Sequence, residues 1–411
     1  MKRLWLFLLV FVPGISLSQV KITGLVLNMA DTRPIVSASV FLSNTTSGTA
    51  TADDGTFTLI VKPGKYDLIV SIVGYETYQQ PILVSDKNIN LPAINMVSTT
   101  TLLKAVRIRP DNAWFRLYKQ FKAEFLGTSV YANACKILNP DSLDLNYDPS
   151  TRQLTARSRG FLIIQNKALG YRVKYQLIRF VKDNKEQALV YKGYTLYEEM
   201  KGSAEEERTW KTNRLDCYKG SPMHFLRSVI NDRVAVEGFE VRKVYKTLNP
   251  KSLFAPSNNG LVNLVSIPKY RERLVDTVLD RLYYFDETEK KGIYVLDCPY
   301  SLYIAYKNRL DYHPDRAGIY AQFNQPNYET TIAAFTQEPD SAGIPKDTIM
   351  VAYPHLWSFK RILKKPYAFF DENGVLTDPL SMSYEGYWAF MREAEALPFD
   401  YGRVDVPANA K

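Results

Sequence analysis

Three cysteines and three histidines are all that 411 residues supply of the side chains most used for disulfides, soft-metal sites and imidazole chemistry. Cys135, Cys217 and Cys298 allow at most one disulfide and leave one thiol over, so the fold has to rest on its core and not on covalent staples. Which two would pair does not follow from their spacing. His224, His313 and His355 are followed three residues later by Arg227, Arg316 and Ser358, so the His-x-x-Glu element of a zinc carboxypeptidase is absent. No G-x-S-x-G elbow, Walker loop or dinucleotide glycine fingerprint occurs, and Asp53-Asp54-Gly55 lacks the alternating acids and closing Glu of a calcium loop. Past the first residues, no apolar run approaches the roughly 20 residues of a spanning helix. No catalytic, cofactor-binding or metal-binding residue is assigned, and no cofactor is expected.

What is present begins with an address. Lys2-Arg3, the nine apolar residues Leu4 to Val12, the break at Pro13-Gly14 and the small residues Ser16 and Ser18 read as a signal peptide cleaved after Ser18. No Cys follows the apolar run, which argues against a lipid-anchored N-terminus. Export from the cytoplasm is the expectation. The net charge of +9 would fall to +7 without Lys2 and Arg3, and the remaining cations are dispersed. They read as a solvated surface, with peripheral attraction to an anionic membrane as the alternative; nucleic acid is not an expected partner. The 28 Tyr, 20 Phe and 5 Trp lean the chain towards strands and their half-buried faces.

Residues 19–97 carry the clearest local pattern. Val20 to Leu27, Ala38 to Ser43, Gly48 to Thr51, Phe57-Leu59-Val61, Tyr66-Leu68-Val70-Ile72, Ile82 to Val84 and Ile89 to Leu91 are short alternating segments between turn residues. About seven strands so spaced predict an antiparallel sandwich, with Asp53-Asp54-Gly55 as a hairpin turn. Gly24-Leu25-Val26, Pro34 to Val40, Gly48 to Phe57 and Gly64 to Tyr75 resemble the carboxypeptidase-regulatory-like domain, a transthyretin-like β-sandwich. The resemblance implies an accessory role, since in that family the domain precedes outer-membrane TonB-dependent receptors of Bacteroidetes, exported peptidases and surface proteins. It does not imply catalysis.

The remainder predicts a linker strand and helix over 98–126 and a larger β-rich α+β domain over 127–411. Leu102 to Pro110 reads as a strand, and Ala113, Trp114, Leu117, Phe121 and Phe125 as the core stripe of a helix that Asp111 can cap. Long strands are expected at Leu154 to Gln165, Gly170 to Val181 and Gln187 to Tyr197, forming a meander with one wet face. Ser221-Pro222 starts a helix after the charged stretch at Glu205. Further strands are expected at Gly238 to Val244, Val262 to Ile267, Leu279 to Phe285, Gly292 to Leu296, Leu302 to Leu310, Gly318 to Phe323 and Tyr328 to Phe335, and a last helix at Tyr384 to Pro398. Phe125 to Ser129, Asn133 to Pro140, Lys167 to Tyr171 and Tyr218 to Ser228 are similar to the C-terminal regions of exported Bacteroidetes proteins of unassigned function. That similarity implies a location in the periplasm or at the outer membrane of a Gram-negative cell, and no reaction.

Two constellations invite chemistry. Cys217 and His224 would share a face of one continuous helix as nucleophile and base, but Gly220-Ser221-Pro222 intervenes. Asp311, His313 and Asp315 could approach a metal, although a solvated turn explains them. The reading is a non-enzymatic cell-envelope protein, an accessory sandwich joined to a domain that binds an envelope protein or a glycan. An exported glycan hydrolase and an outer-membrane β-barrel component are the alternatives.

Overall fold

The structure is a computed structural model that describes residues 20–99, 112–185, 188–248, 270–290, 292–297, 301–308, 348–353, 367–378 and 381–402. Expectations for the signal peptide, Leu102 to Pro110, Asp111, Val262 to Ile267, Gly318 to Phe323, Tyr328 to Phe335, Cys298, Asp311, His313, Asp315 and His355 lie outside the described residues. The chain divides into two compact units, Met1–Leu42 with Ser47–Thr101, and Ser43–Thr46 with Leu102–Lys411.

The first unit is a β-sandwich. Strands β1 (Val20–Asn28), β2 (Ser39–Leu42), β3 (Gly48–Ala50), β4 (Thr56–Val61), β5 (Gly64–Ser71), β6 (Tyr78–Val84), β7 (Ile89–Asn90) and β8 (Ile94–Met96) form two four-stranded sheets. One has the order β4-β1-β7 with β8 also on β1; the other is β3-β2-β5-β6. Alternation places Phe57, Leu59 and Val61 of β4 opposite Val40, Leu68 and Val70 in one buried core. The count is eight, since a strand at Ile94 joins the seven expected, and β7 and β8 run parallel to β1. Asp53-Asp54-Gly55 does not close a ladder hairpin. β3 pairs with β2 and β4 with β1, so the turn carries the chain from one sheet to the other.

The second unit starts with α1 (Asn112–Leu126) and α2 (Val130–Asn133), followed by β9 (Cys135–Ile137), β10 (Leu143–Asp148), β11 (Gln153–Ser158), β12 (Phe161–Asn166), β13 (Tyr171–Asp183) and β14 (Ala188–Glu199). These strands form one antiparallel sheet, order β10-β11-β13-β12-β9, with β14 along the other edge of β13. Phe121 and Phe125 of α1 pack on its inward face against Phe180 and Tyr175. The expected strand Leu154 to Gln165 is two strands, β11 and β12, which pair with successive halves of β13. At the break Ser158 Oγ accepts from the Leu177 N–H (2.8 Å) and donates to the Gly160 carbonyl (2.5 Å), opposite a bulge in β13 between Leu177 and Arg179.

Helices α3 (Ala204–Tyr218) and α4 (Pro222–Ile230) follow. Ser203 and Glu206 form a capping box on α3, and Ser221 caps α4 ahead of Pro222. Strands β15 (Phe239–Leu248), β16 (Tyr270–Val278), β17 (Phe285–Glu287), β18 (Ile293–Asp297), β19 (Ser301–Tyr306), β20 (Thr348–Tyr353), β21 (Tyr367–Asp371) and β22 (Ser383–Gly386) make two antiparallel sheets, β16-β15-β19-β20-β22 and β17-β18-β21. Phe225, Val229, Phe239, Phe370 and Trp388 share their core. Leu279 to Phe285 is not a strand: Asp280 caps a 3-10 turn at Arg281–Tyr283, and Arg281 Nη1 bonds the Val229 carbonyl at the end of α4. The expected last helix shrinks to one turn, α5 (Tyr387–Phe390), because Arg392 turns extended and donates to the Glu124 carbonyl of α1.

Candidate functional site

Cys217 and His224 do not form a nucleophile–base pair. Cys217 lies in the last turn of α3 and His224 in the first turn of α4, and the helix is interrupted between them at Lys219-Gly220-Ser221. His224 Nδ1 accepts from the Gly220 N–H at 3.0 Å, which occupies the lone pair a general base would use. Its Nε2 lies 3.5 Å from Glu237 Oε2, and Tyr218, Phe239 and Tyr306 surround the ring. Burial holds its pKa down to about 4, so the imidazole is neutral near pH 7. Burial likewise pushes the Cys135 thiol up to about 12, which withholds the thiolate that reactivity needs. Asp54 is a turn residue: its Oδ1 accepts from the Thr56 N–H (2.9 Å) and hydroxyl (2.6 Å), bonds that lower its pKa. Among the described residues no group of three His, Cys, Asp or Glu could hold a metal, and no helix is long and apolar enough to cross a membrane.

Segments singled out in the second half prove to be joints. Four consecutive carbonyls of the turn before β13 are met by α3: Trp210 Nε1 bonds Lys167 O (2.9 Å), Asn213 Nδ2 bonds Ala168 O (2.8 Å), and Arg214 bonds Leu169 O (2.7 Å) and Gly170 O (3.3 Å). Arg214 also lies over the Tyr171 ring at 3.9 Å. Gly170 has φ +68°, and a Cβ there would sit 2.2 Å from the Trp210 ring. On α4, Arg227 donates to Asn373 O (2.7 Å), Tyr401 O (2.8 Å) and Phe399 O (2.9 Å), while Trp388 Nε1 donates to Gly220 O (2.8 Å). Such contacts satisfy backbone that would otherwise be buried without partners.

The outward face of the six-stranded sheet is partly covered, with Leu196 opposite Lys174 on it 5% exposed and Gln176 Oε1 buried, and its other positions form rows. Register aligns Phe161, Gln176 and Tyr194 in one row across β12, β13 and β14, and Gln165, Arg172 and Glu198 in another. Between them Lys174 reaches Glu198 at 2.6 Å. Phe161, Gln165, Gln176 and Tyr194 are half-buried and Arg172 is exposed. Alternation in the sequence marks these as wet-face positions, but their alignment depends on which strands are neighbours, which no local pattern states.

Residues 22–108 match the family model described as the CarboxypepD_reg-like domain. No curated protein matches the chain. Among solved structures, the chain is similar to an N-terminal interface mutant of the type II cohesin–X-dockerin complex from Acetivibrio cellulolyticus (23% identity over 19% of this chain and 58% of that one, TM-score 0.17). It is also similar to DUF3823 family proteins from Bacteroides ovatus (13% identity, 45% and 82% covered, TM-score 0.16) and Parabacteroides merdae (12% identity, 46% and 83% covered, TM-score 0.17). The chain spans less than two thirds of the cohesin–X-dockerin chain it matches. It is a mainly β protein that carries a CarboxypepD_reg-like domain in its N-terminal unit.

Proposed function

We propose that the protein is a non-enzymatic binding protein of the Gram-negative cell envelope, its accessory sandwich joined to a second domain that takes up a glycan on the outward face of the six-stranded sheet. The supporting observation is the row Phe161, Gln176 and Tyr194, two rings flanking an amide, beside the row Gln165, Arg172 and Glu198. A sugar presents an apolar C–H face and a rim of hydroxyls; rings suit the first, and amide, guanidinium and carboxylate groups suit the second. Two strand spacings separate the rings by about 10 Å, so a linear oligosaccharide could lie across the strands. Export rests on Lys2 to Ser18.

Calorimetric titration of the chain from Gln19 onward against bacterial and host polysaccharides tests the reading. Binding is expected, weakened at least about tenfold by Tyr194→Ala with the thermal transition unchanged. Binding that survives both Tyr194→Ala and Arg172→Ala, or none to any glycan tried, would sink it. Release of reducing ends would instead identify a hydrolase, and recovery of the full-length precursor in the cytoplasm would refute export.

A further inference from the structure

Residues 391–401 lie against the core of the six-stranded sheet and are pinned along their length. Arg392 Nε donates to the Glu124 carbonyl (2.9 Å), Asn166 Nδ2 to the Ala394 carbonyl (2.9 Å), and Arg227 to the Phe399 and Tyr401 carbonyls. Ala394 and Leu397 are part of that core. Between the pins, the 3-10 turn Glu393–Glu395 takes two carboxyl side chains inside, with Glu393 7% and Glu395 6% exposed. Glu393 Oε1 accepts from the Tyr197 hydroxyl at 3.4 Å, a long bond from a neutral donor.

The groups acting on Glu393 are mostly neutral. β14 contributes Tyr191 and Tyr197, and β13 contributes Tyr175; burial raises the pKa of all three phenols, so they carry no charge near pH 7. β9 contributes Cys135, which also feels Lys122 of α1 and Glu395. Arg392 spends its Nε on a backbone carbonyl, and Lys182 of β13 pairs with Glu124 of α1 at 3.3 Å. Among the described residues, then, Glu393 has a hydroxyl and no ion pair to compensate its ionised form.

We propose that residues 391–401 form a proton-controlled latch, seated while Glu393 keeps its proton and released to water when it ionises. A neutral carboxyl can remain among tyrosines with one weak hydrogen bond, whereas a carboxylate there forfeits its hydration. Burial accordingly lifts Glu393 to about 7, within the range an envelope protein meets. Release would hydrate Glu393 and break the Asn166–Ala394 and Arg392–Glu124 bonds together, because all three lie within four residues.

Hydrogen exchange of the full chain at pH 5.5 and 8.5, corrected for the intrinsic pH dependence of exchange, tests the latch. Opening of peptides covering 391–401 is expected to increase at least about tenfold at the higher pH, one pKa unit of linkage, while β11 is unchanged. Glu393→Gln is expected to abolish that dependence. Equal protection at both pH values, or the same increase in Glu393→Gln, would overturn the proposal. Should the variant not fold, the wild-type Glu393 carboxyl 13C shift decides: a midpoint near 7 supports the latch, and one near 4.5 overturns it.

Discussion

Replacing Gly55 by alanine should destabilise the first unit more than the same replacement at Gly74. Both glycines have left-handed backbones, with φ of +77° and +91°, so each substitution bears the same conformational cost, about 1–2 kcal/mol. Their surroundings differ. A Cβ on Gly74 meets nothing within 4 Å, whereas on Gly55 it would sit 2.6 Å from Val26 O and 3.0 Å from Pro34 Cβ. Val26 cannot give way easily, because its carbonyl accepts from Ile35 N–H (3.0 Å) and its N–H donates to Gly55 O (2.9 Å). Relieving that overlap adds about 1–3 kcal/mol, for a total of about 2–5 kcal/mol at Gly55. At about 4–8 °C per kcal/mol for a domain of this size, the two variants should separate clearly by calorimetry. In the chain from Gln19 onward, which lacks Trp5, the tryptophans Trp114, Trp210, Trp357 and Trp388 all follow residue 101, so their fluorescence reports the second unit and serves as the internal control. Equal losses at the two glycines would refute the steric reasoning. A Gly55→Val protein that unfolds normally yet loses its ligand would refute the reading of this turn as purely structural.

The second unit should show opposed pH dependences. Glu393 is raised to about 7 from 4.5, so its contribution is complete below about pH 4.5 and is lost as pH rises through 7. His224 is lowered to about 4 from 6.5, so its contribution is complete above about pH 6.5 and is lost as pH falls through 4. Each amounts to about 3 kcal/mol, and they largely cancel between pH 4.5 and 6.5. Urea denaturation should therefore find Glu393→Gln losing stability with acid and His224→Gln gaining it; parallel slopes would contradict at least one of the two assignments. Arg227→Lys should cost about 2 kcal/mol by the same assay, since one ammonium cannot span the three carbonyls that the guanidinium bridges. Gly170→Ala should shift Trp210 emission and cost about 2–5 kcal/mol, the left-handed backbone and the overlap of its Cβ with the indole together; an unchanged spectrum would show that the turn before β13 can relax.

Where local chemistry decides, the sequence was legible. Phe57, Leu59 and Val61 alternate into the core as their spacing requires, Tyr171, Val173, Tyr175 and Leu177 do the same on β13, and Ser221-Pro222 opens α4. Where the outcome depended on a distant partner, it was not. Residues 391–397 have helical composition, yet capture of Arg392 by the Glu124 carbonyl and of Ala394 O by Asn166 competes successfully with helix hydrogen bonds. The pairing of both β11 and β12 with β13 was hidden in what reads as one apolar run.

By itself the sequence determined a β-rich chain, a small sandwich at its N-terminus, and a shortage of His and Cys for imidazole or soft-metal chemistry. Periodicity, turn residues and composition act within a few residues and need no partner to be read. Only the tertiary structure decided that Asp53-Asp54-Gly55 crosses between sheets, that His224 faces Gly220 and not Cys217, that Phe161, Gln176 and Tyr194 share a row, and that Glu393 lies inside a tyrosine-lined core. Each depends on strand order or burial between segments far apart in the chain, and desolvation acts on a carboxyl only once those segments have closed around it.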